Sequence, residues 1–271
     1  MPVEHYENFP VASLLLPRHL REPIEAIYAF ARSADDIADE GDAAPLVRLA
    51  QLNDYRNELN TIDSGGMPTA PMFARLARSV RAHALPTILL RDLLDAFSQD
   101  VVKSRYADFA ELREYSRLSA DPVGRLLLHL YKRATPENLS RSDDICSALQ
   151  YINFWQDVAI DWKKDRVYIP QSDLQSFGIK EKQIAEGRSD QHWRNLMHYQ
   201  VDRARRILLR GAPLARALPG RIGWELRLVV QGGLRTLEKI EAVDYDVFRH
   251  RPTLGKTDWL RMLWRAAFMK A

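Results

Sequence analysis

The chain of 271 residues is poor in the residues that cross-link or interrupt a fold. Its one cysteine, Cys146, excludes an intramolecular disulfide and a cysteine-based zinc site. Glycine is scarce, with 12 residues, and long β-branched runs are missing, which disfavours a sheet protein. No stretch approaches the roughly 18 apolar residues that a membrane-spanning helix needs. These absences predict a cytoplasmic protein without a membrane span.

Neither sign of charge dominates, since the chain has 39 Lys and Arg residues and 36 Asp and Glu residues. The basic residues form no tail or run, which argues against a nucleic-acid partner and leaves a small anionic substrate compatible with the balance. Hydrophobic residues make up 46% of the chain, enough for a substantial core. No segment is long enough to be a linker, so we expect a single domain over residues 1–271.

Helical periodicity is the dominant pattern. Apolar residues recur at i, i+3, i+4 and i+7 through most of the chain, which predicts an all-α fold. The predicted helices cover residues 20–40, 45–62, 70–83, 86–102, 108–133, 141–163, 190–216, 221–242 and 256–269.

The first predicted helix carries an acidic strip. At about 100° per residue, the residues that share one narrow strip are Tyr28, Arg32, Asp35 and Asp39, with Asp36 beside them. The other positions are mostly apolar, so we expect the helix to be buried around the strip.

The helix predicted over residues 141–163 repeats this arrangement. Its polar strip consists of Gln150, Asn153, Asp157 and Asp161. Apolar residues such as Trp155 and Ile160 occupy much of the remaining surface, which again indicates a buried helix.

An acid pair at i, i+4 is ordinarily a solvated surface feature. In apolar surroundings such a pair is unfavourable, because the like charges repel and an unpaired carboxylate loses its hydration. A bound cation would compensate, and oxygen ligands without a Cys or His cluster favour Mg²⁺ or Mn²⁺. No Glu-x-x-His pair is present, which argues against a di-iron site. The two strips therefore predict a shared cavity that binds a hard cation.

Both strips match the motifs of a known family. The stretch QYINFWQDVAID, from Gln150 to Asp161, followed by RVYIP from Arg166, resembles the second aspartate-rich motif of squalene and phytoene synthases. The stretch RSADDIAD, from Arg32 to Asp39, resembles the first. YSRLSADPVG and HYENF, further along and at the start of the chain, are similar to the middle and N-terminal motifs.

The resemblance implies a helical bundle around a deep, mainly apolar cavity whose mouth carries both acidic strips. It implies Mg²⁺ as the cofactor and a prenyl diphosphate as the substrate. The implied metal ligands are Asp35, Asp36, Asp39, Asn153, Asp157 and Asp161. The residues expected to contact the substrate are His5, Asn8, Tyr28, Arg32, Gln150, Asn153, Arg166, Tyr168 and Arg251. The residues expected to act in the chemistry are Asp35, Asp39, Asp157, Asp161 and Tyr115, although Tyr115 also fits a core tyrosine.

Three positions depart from the family pattern. Gln156 stands where arginine is common, Cys146 where glycine is common, and Asp121 where a small or aliphatic residue is usual. The stretch NFWQD is similar to bacterial hydroxysqualene synthases of the hopanoid route, which ionise presqualene diphosphate and quench the cation with water. A substrate with one diphosphate needs fewer cations than two farnesyl diphosphates, which fits Gln156. A neutral exchange at a tolerant surface position is the alternative.

The rival activities within the family are synthesis of presqualene diphosphate, of squalene from two farnesyl diphosphates, and of phytoene. A G-x-G-x-x-G motif after a strand is missing, which weakens an NADPH-dependent reaction. A helical scaffold without activity is disfavoured because every acid of both motifs is intact. The implied partners are the pathway enzymes that act before and after.

The segment KTDWLRMLWRAAFMK, from Lys256 to Lys270, is amphipathic. Its aromatic and aliphatic residues share one face and its arginines another, as in helices that lie at a membrane surface. Peripheral contact with the inner membrane is one expectation. The alternative is that the apolar face packs on the bundle.

Overall fold

The computed structural model describes residues 17–269, which are predominantly helical and contain no β-strand apart from one isolated bridge between Arg105 and Val167. The all-α prediction is confirmed. The helices are α1 (Arg18–Asp39), α2 (Pro45–Asp63), α3 (Pro71–His83), α4 (Ile88–Val102), α5 (Phe109–Ser119), α6 (Asp121–Leu130), α7 (Pro136–Gln156), α8 (Val158–Lys163), α9 (Gln171–Ser176), α10 (Glu181–Ala185), α11 (Gln191–Gly211), α12 (Leu214–Ala217), α13 (Gly220–Ala242) and α14 (Lys256–Ala267). Within the described range, no helix is both long and apolar enough to cross a bilayer.

The described residues divide into two compact units. The first unit contains residues 17–103 and 122–135, and the second contains residues 104–121 and 136–269. The expectation of a single domain stays a prediction, and so does the deep cavity.

In the first unit, α1 packs against α2, α3 and α4. Its buried face includes Ile24, Ile27 and Phe30, and the ring of Phe30 meets Phe73 of α3 edge-on at 6.1 Å between centroids. The guanidinium of Arg48, on α2, donates to the carbonyl of Ala38 at 2.6 Å and so occupies a free carbonyl at the C-terminal end of α1. This contact holds the helix end that carries the first acidic strip.

In the second unit, α7 is the central helix and packs against α5, α8, α11, α12 and α13. Arg210 of α11 forms two hydrogen bonds with the carboxylate of Asp144, at 2.7 and 2.6 Å. Two large side chains of α7, Tyr151 and Trp155, are fully buried. This packing fixes the helix that carries Gln150 and Asn153 and ends directly before Asp157.

Two long predicted helices are interrupted in the structure. The helix predicted over residues 108–133 breaks at Ala120, because Pro122 lacks a backbone donor and its ring clashes with the preceding turn. The helix predicted over 141–163 begins earlier, at Pro136, and is interrupted at Asp157, whose backbone leaves the helical region (φ −106°, ψ 12°). Between residues 164 and 189, where no helix is predicted, the structure has the two short helices α9 and α10.

Gly211 permits the close approach of α11 to α7. A Cβ atom at this position would lie 2.5 Å from the carbonyl oxygen of Arg141. Because that neighbour is backbone, it cannot turn aside. We therefore predict that Gly211→Ala lowers the free energy of unfolding by about 1–3 kcal/mol, as overpacking does, measured by urea denaturation.

Gly255→Ala is the matched control. Its added Cβ would meet the Asp258 carboxylate at 3.7 Å, an ordinary contact, and its backbone has a negative φ. We expect a much smaller change in unfolding free energy for this variant. Equal stability of Gly211→Ala and the wild type would contradict the packing described for α7 and α11.

Candidate active site

The first acidic strip lies half-buried along α1, as predicted from its spacing. Arg32 reaches three carboxylates at once: its guanidinium nitrogens lie 3.4 Å from Asp35, 2.7 Å from Asp36 and 3.0 Å from Glu40. Asp39 and Tyr28 are also half-buried. Arg32 is thus shared among three carboxylates of the strip.

The pKa of Asp36 is raised above its ordinary value. Burial raises the pKa of its carboxyl group, Arg32 opposes the rise, and the negative charges of Glu40 and Asp39 add to it. A carboxyl group in this position is stabilised by any further cation. The donor set, carboxylates only, fits a hard cation such as Mg²⁺.

The first acid of the second strip, Asp157, lies between α7 and α8. Arg251 binds the Asp157 carboxylate through two hydrogen bonds, at 2.5 and 3.0 Å. The side chain of Gln156 donates to the carbonyl oxygen of Pro252. Gln156 and Asp157 thus contact Pro252 and Arg251, two consecutive residues between α13 and α14.

This contact gives Gln156 a structural role. Its carboxamide is half-buried and engaged with the backbone, which argues against a tolerant surface exchange. Arg251 lies beside the acidic motif, and its contact with substrate stays a prediction.

Aromatic rings stack beside the second strip. Phe154 and Tyr168 are parallel, with centroids 3.7 Å apart and 4° between their planes. Tyr115 lies 6.2 Å from Tyr168 and is 5% exposed, so it belongs to the same aromatic group. Phe154 and Tyr168 also line a small cleft together with Asp161 and Arg166. The cleft therefore combines π faces, a carboxylate and a guanidinium.

The turn that carries Arg166 and Tyr168 is held by Arg105, which the sequence analysis did not identify. Arg105 donates to the carboxylates of Asp165 and Glu181, each at 2.8 Å. Burial alone would lower the pKa of Arg105, but these hydrogen bonds outweigh it and raise the pKa. The signal in the sequence is weak, because the three residues are far apart along the chain and no motif links them.

The remaining members of the second strip lie on α7. Gln150 exchanges hydrogen bonds with Ser119 at the end of α5, the shorter at 2.8 Å. Asn153 is half-buried, and its backbone carbonyl accepts from the amide of Asp157 at 2.9 Å. Ile160 was expected among the apolar surroundings but is 44% exposed, because the helix is interrupted before it. His5 and Asn8 lie outside the described residues.

Within residues 17–269, no three His, Cys, Asp or Glu side chains are grouped closely enough to hold a metal. The carboxylates of each strip suit Mg²⁺ by their chemistry, and their binding of Mg²⁺ stays a prediction. The catalytic and substrate-binding roles of the residues named above are predictions as well.

Comparison with known proteins shows the class to which this fold and these motifs belong. The family model of squalene/phytoene synthases matches residues 3–258, and the chain belongs to that family. The members of this family are enzymes.

Several relatives carry a more particular description. The chain is 34% identical to the hydroxysqualene synthase of Zymomonas mobilis, over 82% of this chain and 75% of that protein. It is also 34% identical to the hydroxysqualene synthase of Rhodopseudomonas palustris, over 88% and 80%. The phytoene synthase of Arthrospira platensis is 28% identical over 96% of this chain and 87% of that protein.

Solved structures support the same fold. The squalene synthase HpnC from Alicyclobacillus acidocaldarius has 36% identity and a TM-score of 0.83, covering 89% of this chain and 90% of that one. A dehydrosqualene synthase solved with a ligand has a TM-score of 0.85 at 20% identity, covering 98% and 92%, and shows the fold alone.

Asp121, the departure in the middle motif, is buried in the second unit. It accepts hydrogen bonds from Arg113 at 2.9 Å and from Ser147 of α7 at 2.7 Å. Burial raises its pKa to about 6; Arg113 opposes this rise and Asp143 adds to it. Asp121 therefore joins α5 and α7 through a polar network that the family pattern does not suggest.

The raised pKa predicts how stability depends on pH. Between pH 3.8, the ordinary value, and about 6, folded Asp121 keeps a proton that the unfolded chain has lost. The free energy of unfolding therefore falls as pH rises through this window, by about 3 kcal/mol at most. Asp121→Asn removes the titration, so its stability should decrease less between pH 4 and pH 7 in urea titrations.

The control is Asp54→Asn, at an exposed position on α2. It should follow the pH dependence of the wild type. A wild-type curve parallel to that of Asp121→Asn would show that Asp121 has an ordinary pKa in the folded protein.

Proposed function

We propose that this enzyme ionises presqualene diphosphate in the presence of Mg²⁺, rearranges the resulting carbocation and captures it with water, giving hydroxysqualene and diphosphate. The observation that carries the proposal is the grouping of residues at the second acidic strip, where the stacked rings of Phe154 and Tyr168 lie beside Asp161 and Arg166. Among the activities of the family we choose this one because two hydroxysqualene synthases are 34% identical to the chain.

The acids and cations of the motifs have complementary tasks in this proposal. Asp35, Asp36, Asp39, Asn153, Asp157 and Asp161 are the proposed ligands of Mg²⁺. Bound there, Mg²⁺ would neutralise the diphosphate and favour its departure. Arg166 and Arg251 are proposed to bind the phosphate oxygens. A guanidinium group is planar and can donate two parallel hydrogen bonds to a phosphate, which an ammonium group does not do. Arg32, Gln150 and Tyr28 are the further proposed substrate contacts.

Arg251 occupies the carboxylate of Asp157 in the structure described here. A cation at Asp157 would compete with this ion pair, and the released guanidinium would then be available to the diphosphate. Gln156 keeps the segment in place through Pro252 while Arg251 changes partner. This arrangement gives the neutral residue at position 156 a positioning role.

The aromatic group has the properties needed after ionisation. Departure of diphosphate breaks a C–O bond and leaves a cyclopropylcarbinyl cation, whose ring opens before water adds and loses a proton. The π faces of Tyr115, Phe154 and Tyr168 stabilise positive charge without offering a nucleophile as strong as a carboxylate. Burial of Tyr115 keeps bulk water away from the cation.

The proposal places the enzyme between one that supplies presqualene diphosphate and one that consumes hydroxysqualene. A cytoplasmic location with peripheral contact at the inner membrane suits a substrate and a product that are both lipids. A helical scaffold without activity has no observation in its favour, because all acids of both motifs are present.

Removal of either acidic motif should stop turnover. Asp35→Asn and Asp157→Asn each delete one charge of a proposed metal ligand while preserving shape, so we expect at least about a hundredfold loss of activity. Product formation is measured by mass spectrometry at saturating Mg²⁺. EDTA should abolish activity, and added Mg²⁺ should restore it.

Asp54→Asn is again the control, with activity equal to that of the wild type. Circular dichroism verifies that each variant is folded. Full activity of either motif variant, or turnover that EDTA leaves unchanged, would remove the basis of the metal assignment.

Substrate choice separates this proposal from its rivals. Incubation of the purified enzyme with Mg²⁺ and presqualene diphosphate should yield hydroxysqualene, whereas farnesyl diphosphate should give no product at a comparable rate. Efficient formation of squalene from farnesyl diphosphate and NADPH would contradict the proposal. Formation of phytoene from geranylgeranyl diphosphate, or of presqualene diphosphate as the final product, would assign another activity of the family.

A further inference from the structure

Helix α14 is attached to the second unit by a narrow strip of its surface. Only Asp258, Met262 and Ala266, which are spaced four residues apart, are buried. Met262 meets α13 at Gly232, where an added Cβ would lie 3.3 Å from the methionine methyl group. The rest of the helix surface is left to solvent.

The exposed surface is unusually apolar and aromatic. Its large residues, with their exposed fractions, are Trp259 (49%), Leu260 (71%), Leu263 (46%), Trp264 (66%) and Phe268 (68%). The rings of Trp264 and Phe268 lie 5.5 Å apart, so they form one continuous patch. The alternative that this face packs on the bundle is therefore wrong for these residues. A contiguous apolar patch of this kind indicates a binding surface.

The exposed charged residues of α14 itself are basic. The single acid of the helix, Asp258, points inward, where Arg235 and Lys239 of α13 each bind its carboxylate at 2.7 Å. These bonds hold the pKa of Asp258 far below its usual range. Lys256 and Arg261 are exposed. The outer surface of α14 thus offers only positive charge beside its apolar residues.

Glu238 of α13 sets a limit to this positive charge. It pairs with Arg265 at 2.5 Å and lies 3.9 Å from Arg261. Both arginines are therefore partly neutralised, Arg265 more than Arg261, whose side chain stays 52% exposed, and Lys256 is exposed as well. The expected electrostatic attraction is modest and sensitive to salt.

We propose that the outer face of α14 docks on the surface of an anionic phospholipid bilayer. Tryptophan and phenylalanine insert at the level of the headgroups, and flanking cations attract anionic lipids, which is the pattern of an interfacial helix. A protein partner would have to match both the aromatic patch and the exposed basic residues beside it. A lipid surface matches both without any specific shape.

The docking also suits the proposed function, on which it does not depend. Presqualene diphosphate and hydroxysqualene are lipids, so an enzyme held at the bilayer would exchange both without exposing them to water. The binding test requires no turnover. A failure of membrane docking and a failure of the proposed activity are thus separate results.

The test is flotation of the full chain with vesicles of phosphatidylglycerol or of phosphatidylcholine alone. We expect binding to the anionic vesicles at low salt and its loss as the salt concentration rises. The double variant Trp264→Ser with Phe268→Ser should bind at least about tenfold more weakly. Arg261→Glu should weaken binding to the anionic vesicles in particular.

The matched controls change similar residues elsewhere. Leu46→Ser alters an apolar residue that is 81% exposed on α2, and Arg206→Glu alters an exposed arginine on α11. Both should bind vesicles like the wild type. Unfolding midpoints show that each variant is folded, as expected for changes at exposed positions.

Three results would overturn the proposal. The first is a wild-type protein that does not float with phosphatidylglycerol vesicles at low salt. The second is an equal loss of binding in the control variants. The third is a dimer in sedimentation analysis that Trp264→Ser with Phe268→Ser converts to a monomer, because the face would then be covered by a second copy of the chain.

Discussion

The structure depends on the compensation of carboxylate charge on helices whose other faces form the core. The acids of α1 lie above a buried surface that includes Ile27 and Phe30, and Arg32 pairs with Asp35 and Asp36. At the second strip, Arg251 supplies the compensating charge to Asp157. Like charges so placed are unfavourable without a counterion. At both strips the protein therefore places an arginine against the carboxylates.

The same constraint governs the parts that support the site. Arg48 occupies the carbonyl groups at the end of α1, and Arg105 holds the turn that carries Arg166. Asp121 is tied to α7 through Ser147. Each support uses a charged group at a point where the backbone or a carboxylate would otherwise be unsatisfied. The positions of the proposed ligands follow from these anchors as much as from the helices themselves.

The sequence predicted the class of fold and the half-buried acidic strip of α1, because helical periodicity and i, i+4 spacing are local properties. It did not predict that the helix over residues 141–163 is interrupted at Asp157. It also did not predict the two short helices α9 and α10. Arg105 was missed because its partners Asp165 and Glu181 are distant along the chain. The exposure of Trp264 could not be read from periodicity, since a buried amphipathic helix has the same pattern.

Capture of the carbocation by water is the central chemical claim, and isotope labelling tests it most directly. The enzyme is incubated with Mg²⁺ and presqualene diphosphate in water enriched in oxygen-18, and the product is analysed by mass spectrometry. If water captures the carbocation, the hydroxyl oxygen of hydroxysqualene is oxygen-18, and the released diphosphate contains no oxygen-18. A hydroxyl oxygen derived from the diphosphate, or a hydrocarbon product without oxygen, would contradict it.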